Sequence, residues 1–467
     1  MRNERGMAML IALVVAVLLS FLCLSMTFSS LQDFQISTEF ENHEKALLIA
    51  DAGYNKAKED LRGNIIDQLL AQPGTINVYN ADTTLEAWAT RNPVSPIDAR
   101  NLDFSGALPS GLTVTSVPVT GLLTSPTGTE IAGGRYFAKL TDNAEADGDL
   151  TVDSDGTVIL RVIGISRNLG GETNTYNNSR KNSVAIIEGL IKRHTTLDMT
   201  SPMAIIGPGV DTTFQGSSFL VDGYNHLNWT MEDLEDVNKA KALKGDYDTP
   251  NPFPGISCLN EDGTPVDAIK AELIDGNQEE NVRGLGGTKD TPSVADGTAD
   301  LNEDAQNILD PAYLTKLLVK LASIADNTYQ GDQLPDNDDL NLGTHDDPKI
   351  TYINGDVTIS WDISGAGILV VTGDLKARGS VIFEGLVLVI GSGVFDAAGL
   401  NDGILGGLVV SKLQGNAFGT SSISLKGNSR FFFSGSSIQL ATSLLTTQSL
   451  SWREITPEIE PRAAATP

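Results

Sequence analysis

The sequence predicts an α+β protein: a long N-terminal helix whose first half is transmembrane, an antiparallel β-sheet against its second half, and a C-terminal β-solenoid-like domain. Three observations predict it. No residue between Arg5 and Asp33 carries a charge. Short apolar runs separated by turn residues fill 75–200. Glycine corners recur every 18 residues in the last third, at Gly355, Gly373 and Gly391.

The helix comes first in the chain. Met7 to Phe28 is apolar except for Ser20, Ser25 and Thr27. At ~1.5 Å per residue this stretch spans about 33 Å, enough to cross a bilayer core. Arg2 and Arg5 precede it, which keeps the tip cytoplasmic and exports the rest. The run ends in Met-Thr-Phe-Ser-Ser, a poor match to the small-residue cleavage site of a secretory signal. No proline interrupts 29–61, and Ile36, Phe40, Leu47, Ala50, Tyr54, Ala57 and Leu61 recur at helical spacing. One helix of roughly 50 to 55 residues is expected, amphipathic over 29–72 and ended before Pro73.

A short basic leader ending in Gly6, an Ala/Leu/Val-rich run, and the segment Lys45-Ala-Leu-Leu-Ile-Ala-Asp-Ala-Gly53 resemble the N-termini of PilX-type minor pilins of type IV pili. The resemblance covers about the first 65 residues. It implies that a prepilin peptidase cuts after Gly6 and methylates the new amine on Met7. It also implies that the helix, with Ile11, Leu47, Ala50, Gly53 and Tyr54, holds the chain in the inner membrane until it packs with other minor and major pilins. One departure stands out. Most pilins carry a glutamate at the fifth mature position, where it pairs with a neighbour's N-terminal amine, and here that position is Ile11. A buried unpaired ammonium costs several kcal/mol. The departure therefore points to a tip position or a rare subunit, as in PilX-like proteins and in the tip pseudopilin of type II secretion. A single-pass anchor with an amphipathic juxtamembrane helix, outside any filament, stays open as the opposing reading.

The β-rich region 73–200 supplies candidate strands at 112–114, 136–140, 158–163 and 184–187, the cover that the helix's apolar stripe requires. Between two of them lie Asp142, Asp147, Asp149, Asp153, Asp155 and Gly156. An EF-hand register placed on Asp153, Asp155 and Gly156 puts Thr151 and Val162 at positions that must be acidic, so that loop is rejected. Asp155-Gly156 reads as a hairpin turn, with an irregular calcium site through Asp142, Asp147, Asp153 and Asp155 as the alternative.

Residues 201–348 read as an acidic mixed insertion. Within them, 231–348 holds 26 acids against 8 bases, out of 60 and 32 in the chain, and so 18 units of the net charge of -28. A chain this acidic repels phosphate backbones, and nucleic acid is excluded as a partner. Asp310 as N-cap, Pro311 at the first position and Leu314, Leu317, Leu318, Leu321 and Ile324 on one face predict a helix. Asp336 and Asp338 lie in a run that reads as a solvated loop, with cation binding as the alternative.

In 349–457 the strands 368–371, 386–390 and 408–410 between glycine corners suit solenoid coils, with a β-sandwich as the competitor. Phe431-Phe432-Phe433 and Ser451–Ile455 are expected to close the open end of the stack, and 458–467 to form a disordered tail. The only two cysteines, Cys23 and Cys258, exclude a disulfide-stapled fold. His43, His194, His226 and His345 show no ligand spacing, and no Walker loop, Gly-x-Ser-x-Gly or Cys-x-x-Cys occurs. Asp356, Asp362 and Asp374 are scattered rather than paired as glycoside hydrolysis requires. The expectation is a non-enzyme without cofactor: a minor pilin-like subunit that primes assembly or sits at the tip and shows a large exported region to an unknown surface receptor.

Overall fold

The uncharged run and the amphipathic run that follows it form one unbroken helix, α1 (Arg2–Asp60), of 59 residues. The fold was read from a computed structural model, which describes residues 2–78, 93, 115–143, 152–153, 155–167, 182–194, 196–216, 218–227, 229, 233, 252–259, 264–335, 340–398, 403–445 and 447–455. The helix stops earlier than Pro73. Gly63 takes a φ of 79°, a left-handed conformation that an α-helix cannot continue through. A separate short helix, α2 (Ile66–Ala71), fills the gap before Pro73.

Strands β1 (Pro73–Val78) and β2 (Thr115–Thr120) pair with each other. β3 (Thr129–Ile131), β4 (Gly134–Asp142), β5 (Thr157–Ser166) and β6 (Ser183–Lys192) form an antiparallel meander. Because side chains alternate across a strand, one face of this sheet turns Tyr136, Ala138, Val158, Leu160, Val162, Ile187 and Ile191 toward α1. The other buries Phe137, Ile163, Ile165, Val184 and Ile186 with Val119 and Leu122. The expected strands 136–140, 158–163 and 184–187 are in place, while 112–114 lies outside the described residues. The fifth strand comes from the far end of the chain: Gln448–Ile455 pairs antiparallel with β6. Ser451–Ile455 therefore does not close the stack of the last third. It completes the helix-bound sheet, because β6 would otherwise present an open hydrogen-bonding edge.

The described residues between those two neighbours form a second, mostly parallel body. From the N-terminal side it takes β7 (Met203–Ile206), β8 (Val210–Gln215), β9 (Leu220–Asp222), β10 (Ile256–Leu259), helix α3 (Thr264–Asp275), β11 (Val282–Arg283) and β12 (Val294–Asp296). Helix α4 (Pro311–Ile324) then crosses the body, with the Asp310 carboxylate accepting from the Ala312 amide at 2.9 Å as a true N-cap. From the opposite end the chain returns through β13 (Asn327–Gln330), β14 (Lys349–Asn354), β15 (Val357–Ile359), β16 (Ile363–Val371), β17 (Leu375–Ala377), β18 (Val381–Gly391), β19 (Val394–Ala397), β20 (Gly403–Gln414), β21 (Ala417–Gly419), β22 (Ser421–Lys426) and β23 (Arg430–Phe433). Helix α5 (Gly435–Thr442) and strand β24 (Gln448–Ile455) are the final described elements, and the expected disordered tail 458–467 lies outside the described residues.

Two sheets result. The larger, of 12 strands, runs through β13, β14, β16, β18, β20, β23, β9 and β11, and the smaller is ordered β15-β17-β19-β22-β8. Ile350 pairs with Ile368, Ile368 with Leu386 and Leu386 with Gly407, all parallel, so the register step is 18, 18 and then 21 residues. β20 has two neighbours on its far side: β23 along Gly403–Gly406 and β7 along Leu408–Ser411. That layer is thus built from two distant pieces of chain, and β9 and β10, then β11 and β12, extend it further. Phe431–Phe433 lies inside the stack rather than at its end, and the strands of 203–222 share their sheets with 349–433. Between the sheets sit Leu369, Val387, Val389, Leu408, Leu375, Phe395 and Ile423. The outer face of the larger sheet buries Ile368, Leu386 and Leu388 under α4 and α5. Burial on both faces explains why these strands read as continuous apolar runs.

Candidate functional site: the N-terminal helix and its seat

The helix is long and apolar enough to cross a bilayer, and none of its most apolar window is buried within the protein. Gly6 and Ile11 lie in the helical backbone, and the Ile11 side chain is outside what the structure describes. Met7 is exposed. The apolar surface extends past Phe28: Phe34, Ile36 and Phe40 are each more than 60% exposed. The stripe predicted from Ile36 to Leu61 is thus buried only from Ala46 onward. Ala46, Ile49, Ala50, Gly53, Tyr54, Ala57 and Leu61 are buried, Leu47 is half-buried and Leu48 is exposed.

Small residues on both partners let the helix lie close on the strands. A Cβ at Gly164 would stand 2.3 Å from the Ala46 carbonyl oxygen and 2.4 Å from the Ala50 nitrogen. One at Gly189 would strike the Tyr54 hydroxyl, and one at Gly53 the Tyr136 ring. Gly53, Gly164 and Gly189 are therefore packing glycines, set at Gly164 by the approach of backbone to backbone and at Gly53 and Gly189 by a tyrosine side chain laid on the glycine. Tyr54 reaches through the seat to the last strand, its hydroxyl 3.4 Å from Ser449 Oγ, and burial pushes its phenol above the ordinary value. Lys58 Nζ donates to the same Ser449 oxygen at 3.0 Å, and His43 Nε2 stands 2.9 Å from Glu454. Helix, meander and C-terminal strand form one tied unit.

The opposite face of the sheet carries a cross-strand row, Lys139, Arg161, Glu188 and Arg453, in direct register. Arg161 Nε and Arg453 Nε each donate to Glu188 at 3.0 Å. Burial alone would raise the Glu188 carboxyl, but its bonds to Arg161 and Arg453 outweigh it and hold the group below the ordinary carboxylate value. Burial, with the Arg161 charge added, pushes Lys139 down to about 8.

The candidate cation ligands are dispersed. Asp147, Asp336 and Asp338 lie outside the described residues. Asp153 is buried and bound: it accepts from the Thr157 amide at 2.9 Å and from Arg193 Nε at 3.1 Å. Asp155 accepts from Asn143 Nδ2 at 2.9 Å, and Asp142 is buried at the end of β4. Among the described residues no three His, Cys, Asp or Glu side chains stand where they could hold a metal ion. Asp155-Gly156 is not a tight hairpin turn. Asp142 pairs with Val158, so these two residues are the end of a longer connection. Asp356 and Asp362 serve the stack itself, each accepting from the amide one layer on, at Asp374 and Ser380, at 2.8 and 3.0 Å.

Two features gave little signal in the sequence. The Arg161–Glu188–Arg453 row needs a strand partner 265 residues away. A column of glycines, Gly367, Gly385 and Gly406, runs in register across three strands with φ between 115° and 133°. Each would drive a Cβ into the carbonyl of the preceding layer. Their 18- and 21-residue spacing was readable, but it lies out of phase with the more conspicuous corners.

The geometry defines an α+β protein with a helix of membrane-spanning length seated on an antiparallel sheet. No protein-family profile matches the chain. No curated protein matches it in sequence. Among solved structures it is similar to the competence-associated pilin ComZ from Thermus thermophilus, at 12% identity and a TM-score of 0.22, over 88% of this chain and 97% of that one. A score at that level does not establish a shared fold.

Proposed function

We propose that the chain is a minor pilin-like subunit of a type IV pilus, processed by a prepilin peptidase after Gly6, methylated on Met7, and held in the inner membrane by α1 until it assembles. One observation carries the reading: the exposed apolar half of α1 runs without a break into a half seated on a sheet, and Phe34, Ile36 and Phe40 stay uncovered between the two. A plain anchor needs apolar surface only across the hydrocarbon core. Apolar surface below it fits neighbouring helices of other pilins. In this reading the parallel body is a β-solenoid-like display domain for surface contact or adhesion, set as an insert in the helix-bound sheet. The chain is assigned no reaction and no cofactor.

The test is fractionation with deletion. In the producing cells, the full-length protein is expected in sheared surface filaments, and its deletion is expected to reduce them. A protein found only in membranes, with filaments unaffected by its loss, is a membrane-anchored envelope protein instead.

A further inference from the structure

Where β6 leaves the sheet, three consecutive basic residues meet three different elements. Lys192 Nζ pairs with Asp304 at 2.6 Å, ahead of α4. Arg193 binds Asp153 at 3.1 Å and Asp198 at 2.7 Å. The third, His194, faces a cation: Lys320 Nζ, on α4, lies 2.8 Å from His194 Nε2. An ammonium has only donors, so at this distance Nε2 must accept, and the imidazole must be neutral. Its Nδ1 then holds the proton and faces Thr196 Oγ1 at 3.4 Å, which stands 3.2 Å from the Tyr313 hydroxyl on the same helix.

We propose that His194 is a pH-sensitive pin at the joint between the helix-bound sheet and the parallel body, locked to α4 while neutral and released when protonated. The location gives this leverage. The chain leaves the sheet after Lys192 and returns at Gln448, its register partner, so both covalent connections to the parallel body lie beside His194. Arg62–Asp326 at 3.0 Å and Gln439 Nε2 to Asp67 at 3.1 Å tie the two parts elsewhere and hold them together when the pin opens. Protonation would place a second cation against Lys320, with Lys192 adding to the repulsion and Asp304 alone opposing it. Burial first, and then the Lys320 charge, hold the imidazole below its ordinary value. A depressed histidine favours the folded, docked state above its unfolded value near 6.5, and this contribution is lost as pH falls through that value and below.

Hydrogen–deuterium exchange on the full chain in detergent micelles tests the pin. After correction for intrinsic rates, peptides covering 186–199 and 311–324 are expected to exchange severalfold faster at pH 5 than at pH 7.5. His194→Gln keeps a neutral acceptor for Lys320 and should remove this step. Asp153 and Asp198 remain in that variant, so a step that survives belongs to them and overturns the proposal, as does a wild type with no step. If His194→Gln does not fold, Lys320→Met, which removes the opposing cation, decides: the step shrinks if the pin exists and is unchanged if it does not.

Discussion

At Gly164 the absence of one carbon determines how the helix meets the sheet. Gly164→Ala would press a methyl group on the Ala46 carbonyl and the Ala50 nitrogen, backbone atoms that cannot rotate away. A loss of about 1–3 kcal/mol is expected from denaturant unfolding in detergent, with α1 loosened from β5. Asp222 gives a prediction of opposite sign. It is fully buried, and its carboxyl is pushed up to about 6 by burial, against smaller pulls from the Tyr224 amide and Arg283. A raised carboxyl stabilises the fold below its unfolded value and costs stability as pH rises toward 6 and beyond. Asp222→Asn keeps an acceptor for Tyr224 and should raise stability at pH 7.5 by on the order of 2 kcal/mol. The gain should vanish below about pH 4 in melting curves taken across pH.

At the scale of elements the C-terminal strand is the part that sequence reasoning misplaced. β24 alternates weakly, leaves Trp452 half exposed and adds little apolar burial, so no periodicity announces its partner. Its recognition is charge in register, which only the fold brings together. Glu188→Gln would leave buried Arg161 without its carboxylate and should cost about 3 kcal/mol. Arg453→Ala removes an exposed partner and should cost less than about 1 kcal/mol. Because the Glu188 carboxyl is depressed, its contribution is full above the ordinary glutamate value and declines as pH falls through its folded value. Equal losses from the two variants in urea titration would mean that the row is not organised around Arg161. The elements that were legible have local causes. Asp310-Pro311 starts α4, the apolar runs mark β5, β6, β16 and β18, and the uncharged run marks α1. The end of α1 was legible too, in Arg62-Gly63-Asn64, but the proline ten residues beyond Gly63 drew the boundary.

Over the whole molecule, the long-range topology was beyond reach of periodicity. The 18-residue step predicts neighbours along the chain, and β14, β16 and β18 follow it. It carries no information that β7 and β8 should lie beside β20 and β22, a contact that joins residues about 200 apart. The acidic segment 231–348 also loses its appearance as a separate unit. It carries most of the charge, yet β10, β12, β13 and α4 within it cap or cover the parallel sheets. The resulting molecule is a seated helix with one large body inserted between two adjacent strands of its sheet, and the proposed role rests on the exposed end of that helix. The mature N-terminus tests this most directly. Intact-protein and peptide mass spectrometry of the protein from its own membranes should find a chain beginning at Met7 with a methylated amine; a chain beginning at Met1, or one cut beyond Phe28, would contradict the account.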